Sequence, residues 1–151
     1  MAMELRERPF DPWRELADHQ AAHMRDGAFG ATAVFVGTMR DFAGDESVSG
    51  MFLEHYPGMT EREIERIVSE CCASCDVMDM LVLHRVGRVE PGEPIVLVAI
   101  WSAHRAEAFT VCRAVMEALK SRAPFWKREE TAGGGRWVAE NTPGEPPTRE
   151  Q

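Results

Sequence analysis

The order of the apolar segments along the chain constrains its fold more than any other feature. Two strand-like runs are followed by an amphipathic helix, and the same order of strand, strand and helix then repeats. A parallel, doubly wound sheet needs strands that alternate singly with helices, so this order disfavours it. The sequence therefore predicts a single α+β domain over residues 1–138, with a largely antiparallel sheet and flanking helices.

Three helices are predicted from caps and apolar spacing. Thr60–Glu63 is interpreted as a capping box, and apolar or cysteine side chains follow at helical spacing from Ile64. A second long helix is expected over residues 104–122, where Pro124 stops it. Asp11–Pro12 supply the N-cap and first-turn proline of a shorter helix that precedes both.

The strands are predicted from apolar alternation and from the turn residues between them. Residues 31–36 are expected to be buried on both faces of a sheet, because small and β-branched side chains alternate there. The other predicted runs are 48–56, 77–86 and 94–101, with a polar loop at 38–47 and a hairpin turn at 87–93. Residues 1–10 are expected to be an irregular lead-in, and the acidic, proline-rich tail at 139–151 is expected to be mobile.

The charge balance limits the classes of partner. The chain has 17 Lys and Arg residues against 25 Asp and Glu, a formal net charge of −8. Such a surface should repel nucleic acid and anionic membranes, so any anion site must be local. No apolar run approaches the length of about 18 residues that spans a bilayer, and Met1–Glu7 is too polar for a signal peptide. We therefore expect a cytoplasmic protein that binds neither nucleic acid nor membrane.

The four cysteines, Cys71, Cys72, Cys75 and Cys112, allow a disulfide, a metal site or a reactive sulfur. A reducing compartment disfavours disulfides. Cys72 and Cys75 lack the second ligand pair that zinc requires. Because the cysteines lie on the apolar stripes of two predicted helices, packing in the core is preferred over catalysis. We expect no metal site.

A local cluster of cations contrasts with the acidic composition. Residues 120–128 read KSRAPFWKR, with four cations, two aromatic side chains and no acid. Such a segment can bind a compact anion with a planar ring, although a solvated helix end is the alternative. His104–Arg105 and Arg40 are further candidates for an anion site, with a capping or buried histidine and a surface arginine as the alternatives. His84 and Arg85 lie within a predicted strand and are assigned structural roles.

Eight short motifs follow one another between residues 27 and 138. They are Phe35–Arg40, Glu54–Met59, His84–Gly87, Pro91–Glu93, Ser102–Arg105, Leu119–Lys120, Ala123–Glu129 and Arg136–Val138. Together they resemble the large, catalytic subunit of molybdopterin synthase, and their conjunction is specific although each one is short. The resemblance implies a fold like the α/β hammerhead and a role in molybdenum cofactor biosynthesis.

The resemblance also implies a reaction and its partners. In this family, cyclic pyranopterin monophosphate receives two sulfur atoms and becomes the dithiolene molybdopterin. The sulfur arrives as a thiocarboxylate on the C-terminal Gly-Gly of a small ubiquitin-like subunit, and no cofactor is implied. Two functions compete with this sulfurtransferase: a non-catalytic phosphopterin-binding module and a cysteine-persulfide sulfurtransferase.

The resemblance further implies roles for individual residues. Lys120 and Lys127 would be catalytic, with Lys120 moving a proton or accepting the acyl group transiently. The residues expected to bind substrate alongside these two lysines are Thr38, Met39, Arg40, His104, Arg105, Arg128 and Glu129. Asp41 and the absence of a basic residue near Asn141 depart from the family pattern, and both would weaken the binding of an anion.

The length of the second predicted helix separates two parts of this site. Arg105 and Lys120 are 15 residues apart, or about 22 Å along a helix that rises 1.5 Å per residue. One small phosphopterin does not easily touch both. We therefore expect a two-fold homodimer in which His104 and Arg105 of one chain complete the pocket of the other. With one small subunit on each large subunit, the assembly would be a heterotetramer.

Overall fold

The computed structural model describes residues 1–43 and 45–138. The tail that is predicted to be mobile, residues 139–151, lies outside the described residues. In chain order the elements are β1 (Ala2–Arg6), α1 (Pro12–His23), β2 (Ala31–Thr38), β3 (Phe42–Ala43), β4 (Glu46–His55), α2 (Met59–Cys72), β5 (Val77–Arg85), β6 (Gly87–Val89), β7 (Pro94–Ser102), α3 (Arg105–Arg122), β8 (Phe125–Thr131) and β9 (Gly134–Trp137). The predicted α+β class is confirmed, and β1 with β5 is the one parallel pair among the described strands.

The strands form two sheets instead of the single sheet that the sequence predicts. The first sheet has the order β1-β5-β7-β2, and the second has the order β3-β4-β8-β9 with β6 also paired to β4. Residues 87–93 are therefore more than a hairpin turn, because Gly87–Val89 pair with Met51–Leu53 of β4. Gly87 has a φ of 78°, which lets the chain turn sharply away from β5, and Val89 is fully buried. The connection from β5 to β7 thus joins the two sheets.

Two segments that the sequence analysis treats as irregular contain short strands. Residues 1–10 are predicted to be an irregular lead-in, but Ala2–Arg6 pair with Leu81–Arg85 of β5 as a parallel edge strand. The predicted polar loop 38–47 contains β3, which forms a hairpin with β4. Runs of two to five residues are too short to show a clear apolar period, so the pattern carries no signal for either strand.

Helices cover both faces of the first sheet, which explains the long apolar runs of its central strands. Side chains of α2 and α3 pack on one face, while Phe10 and α1 pack on the other. The stripe of α3 differs from the prediction, because Phe109 is 67% exposed and Val111 is buried. β2 lies at the edge of the sheet, so the expected burial of residues 31–36 on both faces is wrong, and Phe35 is 42% exposed. Within the described part of the chain, no helix combines the length and apolar character needed to span a bilayer.

The N-terminus of α2 differs from the predicted capping box. Gly58, with a φ of 81°, is the N-cap, and its N–H donates to the Glu61 carboxylate at 2.6 Å. Thr60 is fully buried within the first turn. Its hydroxyl accepts from the Tyr56 N–H at 3.0 Å and donates to the Pro124 carbonyl at 3.3 Å. This hydroxyl ties the start of α2 to the connection between α3 and β8.

Replacing Thr60 with Val should therefore destabilise the fold, because the substitution leaves two buried backbone groups without their partner. We expect the free energy of unfolding, measured in urea, to fall by about 1–3 kcal/mol. Thr110→Val, on the exposed side of α3, is the matched control and should change that free energy by less than about 0.5 kcal/mol. Equal stabilities of the two variants would contradict the assignment.

Candidate functional site

A cavity of about 570 Å³ is lined by residues of both sheets and by the C-terminal end of α3. The end of β2 and the loop after it form one wall, the last turns of α3 form another, and β8 contributes a third. Six of the nine predicted site residues line it: Thr38, Met39, Arg40, Lys120, Lys127 and Glu129. The fold thus brings together groups from three distant parts of the sequence.

Lys120 and Lys127 are the only lysines in the sequence, and both line this cavity. Lys120 lies in the last turn of α3, and β8 brings Lys127 back opposite Leu53 of β4. Burial, then the charge of Lys120 and a hydrogen bond with it, lower the pKa of Lys127 to about 8. Roughly one Lys127 side chain in ten is then a neutral amine at pH 7. This group can therefore give and take a proton near neutral pH.

The other cations of the 120–128 segment lie outside the cavity. Arg122 forms an ion pair with Glu70 of α2 at 2.8 Å, so the alternative of a solvated helix end describes this residue but not Lys120. Arg128 is exposed on β8 and lies against β9, where a Cβ at Gly135 would approach its Nε to 2.5 Å. Arg128 was expected to bind substrate, yet it is not among the residues that line the cavity.

Glu129 is the acid of the cavity wall. It follows Arg128 on β8, and strand alternation turns its side chain to the opposite face. Its carboxylate accepts from Arg136 of β9 at 3.2 Å, and its charge opposes the lowering of the Lys127 pKa. The hairpin of β8 and β9 therefore supplies one cation and one ion-paired acid to the same wall.

His84 is a cavity residue that the sequence analysis missed. Its ring stacks on Phe125 with centroids 4.1 Å apart and an angle of 11° between planes. Nδ1 donates to the Arg85 carbonyl at 2.7 Å, which leaves the lone pair on Nε2 in the neutral ring. Burial lowers the pKa of His84 to about 4 against that hydrogen bond, and the charges of Lys127 and Lys120 act in the same direction as burial. The ring is therefore an uncharged wall of a cationic cavity.

The signal that pointed to His84 was the His84–Gly87 motif. Both His84 and Arg85 are buried, so the assignment of both to the interior of the protein is correct. Period-two alternation, however, does not distinguish a cavity wall from a packed core when a sheet is covered on both faces. The motif was thus noticed without its chemical meaning.

Arg40 lies just after the end of β2. Its guanidinium carbon is 5.1 Å from the centroid of the Phe42 ring, a cation–π distance. The Val48 N–H donates to the Asp41 carbonyl at 2.8 Å, so the chain after Arg40 is fastened to β4. Asp41 itself is not among the residues that line the cavity. The acid that departs from the family pattern therefore lies beside the cavity instead of within its wall.

His104 and Arg105 lie at the opposite end of α3 from the lysines. His104 is the N-cap residue with an extended backbone, but its exposed side chain makes no capping bond, so neither the capping nor the buried alternative describes it. Arg105 begins the helix, about 22 Å from Lys120 by the helical rise. Neither residue lines the cavity. One chain alone therefore does not bring the His–Arg pair and the lysines together.

The cysteines lie away from this chemistry. Cys71 and Cys72 end α2, and Cys75 lies beyond it instead of on its stripe, while Cys112 is buried in α3. Burial raises the pKa of the Cys71 and Cys72 thiols, and it raises that of Cys112 to about 11. None of the four lines the cavity. Across residues 1–43 and 45–138, no three His, Cys, Asp or Glu side chains cluster as a metal site would require.

The model of the MoaE protein family matches residues 6–122 of this chain. A molybdopterin synthase catalytic subunit from Pseudomonas aeruginosa is 50% identical over 138 residues, which cover 91% of this chain and 90% of that protein. A protein of the same description from Cereibacter sphaeroides is 52% identical over 122 residues, covering 80% of this chain and 82% of that protein.

Solved structures agree with these sequence relatives. The molybdopterin biosynthesis MoaE protein from Burkholderia ambifaria superimposes with a TM-score of 0.75 at 43% identity, covering 93% of this chain and 91% of that chain. A complex of subunits 1 and 2 of molybdopterin-converting factor from Helicobacter pylori gives a TM-score of 0.76 at 21% identity, covering 93% and 92% of the two chains. The second likeness is one of fold alone.

The proximity of the two lysines predicts a specific response of the Lys127 pKa. Because these are the only two lysines, a chain labelled with ¹³C at lysine Cε should give two NMR signals, one of which titrates near pH 8. Lys120→Met should raise the pKa of Lys127 toward its ordinary value, since it removes the neighbouring charge. Lys120→Arg keeps that charge and should leave the pKa near 8. Two signals that both titrate near 10.5 in the unchanged chain would show that the pair is not desolvated.

Proposed function

Because the chain belongs to the MoaE protein family, we infer that it is the catalytic subunit of a molybdopterin synthase, a sulfurtransferase of molybdenum cofactor biosynthesis. The observation that carries this conclusion at the level of chemistry is the desolvated pair Lys120 and Lys127 beside Arg40 in one cavity. Preorganised cations in a water-poor site stabilise negative charge more strongly than the same groups do in water.

The proposed substrates are cyclic pyranopterin monophosphate and the thiocarboxylated C-terminal Gly-Gly of a small ubiquitin-like subunit. Both are anions and repel each other, and the cations Arg40, Lys120 and Lys127 offset that repulsion. The cavity of about 570 Å³ lies within the usual range of small-molecule sites, roughly 300–1,000 Å³. A Gly-Gly end has no side chains, so it can enter a narrow site. The Helicobacter pylori complex provides a two-subunit precedent for this fold.

The two lysines are given different roles in this proposal. Lys127, with its pKa lowered to about 8, exchanges a proton at neutral pH. Lys120 lies at the other side of the pair and serves as the charged partner of the thiocarboxylate or as a transient acyl acceptor. Arg40 binds the phosphate, while Thr38, Met39 and Glu129 shape the wall around it. Arg128, which lies outside the cavity of one chain, stays a proposed substrate contact at its rim.

A cysteine-persulfide mechanism receives less support than the lysine mechanism. A persulfide forms on a thiolate, whereas burial raises the pKa of three of the four thiols. None of the cysteines lines the cavity. All four are free thiols, which suits the reducing cytoplasm that we propose as the location of the protein.

The proposed homodimer would complete the site with His104 and Arg105 from a second chain. β2 supports a specific arrangement, because this edge strand has no charged residue and pairs with β7 alone among the described strands. The Gly30 N–H donates to the Ser102 carbonyl at 3.0 Å, which places the start of β2 beside His104, while its end lines the cavity. Antiparallel pairing of two β2 strands would therefore bring each His–Arg pair toward the other chain's cavity.

Lysine chemistry and cysteine chemistry predict opposite results for two variants. Lys120→Ala should reduce dithiolene formation by at least about a hundredfold in the presence of the thiocarboxylated small subunit. A variant with all four cysteines changed to Ala or Ser should keep its turnover, provided that circular dichroism shows it folded. Loss of turnover in the folded cysteine-free chain would exclude the lysine mechanism. Near-normal turnover of Lys120→Ala would favour the binding-module alternative.

Mixing two inactive variants tests the composite site. Arg105→Ala and Lys120→Ala chains should each be inactive alone. Refolded together at equal concentration, half of the dimers are mixed and each mixed dimer has one intact site. About a quarter of the unmodified activity should therefore return. A mixture that stays inactive would show that both residues serve a site within one chain.

A further inference from the structure

Arg85 is a buried cation that the proposed chemistry does not use. It ends β5, where the two sheets meet, and its side chain is 2% exposed. Nη1 donates to the Glu93 carboxylate at 3.1 Å, and Nη2 donates to the Arg88 carbonyl at 2.6 Å. Nε is buried and has no hydrogen-bond partner. Such an arrangement is costly, because an apolar side chain at this position would need no partner at all.

Glu93 links this arginine to the wall of the cavity. Its carboxylate also accepts from the Glu90 N–H at 3.0 Å, which closes the turn between β6 and β7. Its backbone carbonyl accepts from the Met39 N–H at 3.0 Å, and the Gly92 N–H donates to the Met39 carbonyl at 2.8 Å. Both backbone polar groups of Met39 are therefore held by the Gly92–Glu93 turn.

Met39 in turn fixes where Arg40 begins. Met39 is 6% exposed and packs with the apolar side chains of the second sheet. The register between β2 and β7 shifts between Gly37 and Thr38, so regular strand pairing ends just before this point. The turn held by Glu93 replaces the lost pairing, and Arg40 leaves it to line the cavity.

We propose that Arg85 and Glu93 are positioning residues that hold the Met39–Arg40 segment, so that the Arg40 guanidinium meets the phosphate of the substrate. The contacts run in one direction without a gap, from the buried guanidinium to the carboxylate, from the turn to Met39, and from there to the next residue. The proposal rests on the proposed function, because it assigns the phosphate to Arg40.

The chain offers a matched control for this pair. Arg88 and Glu130 form a shorter ion pair, at 2.6 Å, that also joins two strands of the second sheet. Both side chains are more than 40% exposed, and neither residue lines the cavity. Changing this control pair removes a nearby Arg–Glu contact and leaves the backbone carbonyl that Arg85 uses intact.

Steady-state kinetics with the unmodified small subunit distinguish positioning from a purely structural role. Glu93→Gln and Arg85→Lys should raise the KM for the cyclic pterin on the order of tenfold, with kcat within about twofold of normal. Arg88→Lys and Glu130→Gln should change neither constant. If Arg85→Lys does not fold, Glu93→Gln still decides, because its side chain is only partly buried.

A double variant provides the second readout. If Glu93 acts through Arg40, then adding Glu93→Gln to Arg40→Ala should raise the KM no further than Arg40→Ala alone. Independent, multiplying effects, or an unchanged KM in folded Glu93→Gln, would overturn the proposal and leave the proposed function intact. Failure of the proposed function is recognised separately, because the unmodified chain would then transfer no sulfur at all.

Discussion

The cost of placing two lysine side chains together in a partly buried cavity governs the rest of the structure. Desolvation and mutual repulsion both disfavour the doubly charged pair, and the lowered pKa of Lys127 expresses that cost. The surroundings do not neutralise the pair. His84 is an uncharged ring, and the carboxylate of Glu129 is shared with Arg136. A cavity of this kind binds anions more strongly than a surface cluster would, because less of the attraction is screened by water.

The fold supports the lysine pair by crossing two sheets at one helix end. α3 delivers Lys120, Pro124 ends the helix, and β8 turns back at once with Lys127. The buried Thr60 hydroxyl holds that turn from the side of α2. The same end of the molecule receives Arg40 from β2, so each cation depends on a different connection between the sheets. Local changes in any of these connections therefore reach the chemistry through geometry and not through charge.

Much of this arrangement could be predicted from the sequence. The long apolar periods gave β5, β7 and α3 correctly, because these elements are buried along their length. Short elements such as β1, β3 and β6 carry too few residues for a period, and the division into two sheets depends on contacts that no local pattern encodes. The cations were found because four of them interrupt an acidic chain. His84 was not recognised as a site residue, because a histidine in a buried strand has the same pattern whether it faces a core or a cavity.

The most direct test of the account is the fate of the pterin itself. The unmodified chain is incubated with a thiocarboxylated small subunit and cyclic pyranopterin monophosphate, and the pterin is followed by mass spectrometry under anaerobic conditions. The account predicts a pterin that has gained two sulfur atoms and a small subunit whose C-terminus has become an ordinary carboxylate. A pterin that binds in the cavity and leaves without sulfur, while the thiocarboxylate persists, would contradict it.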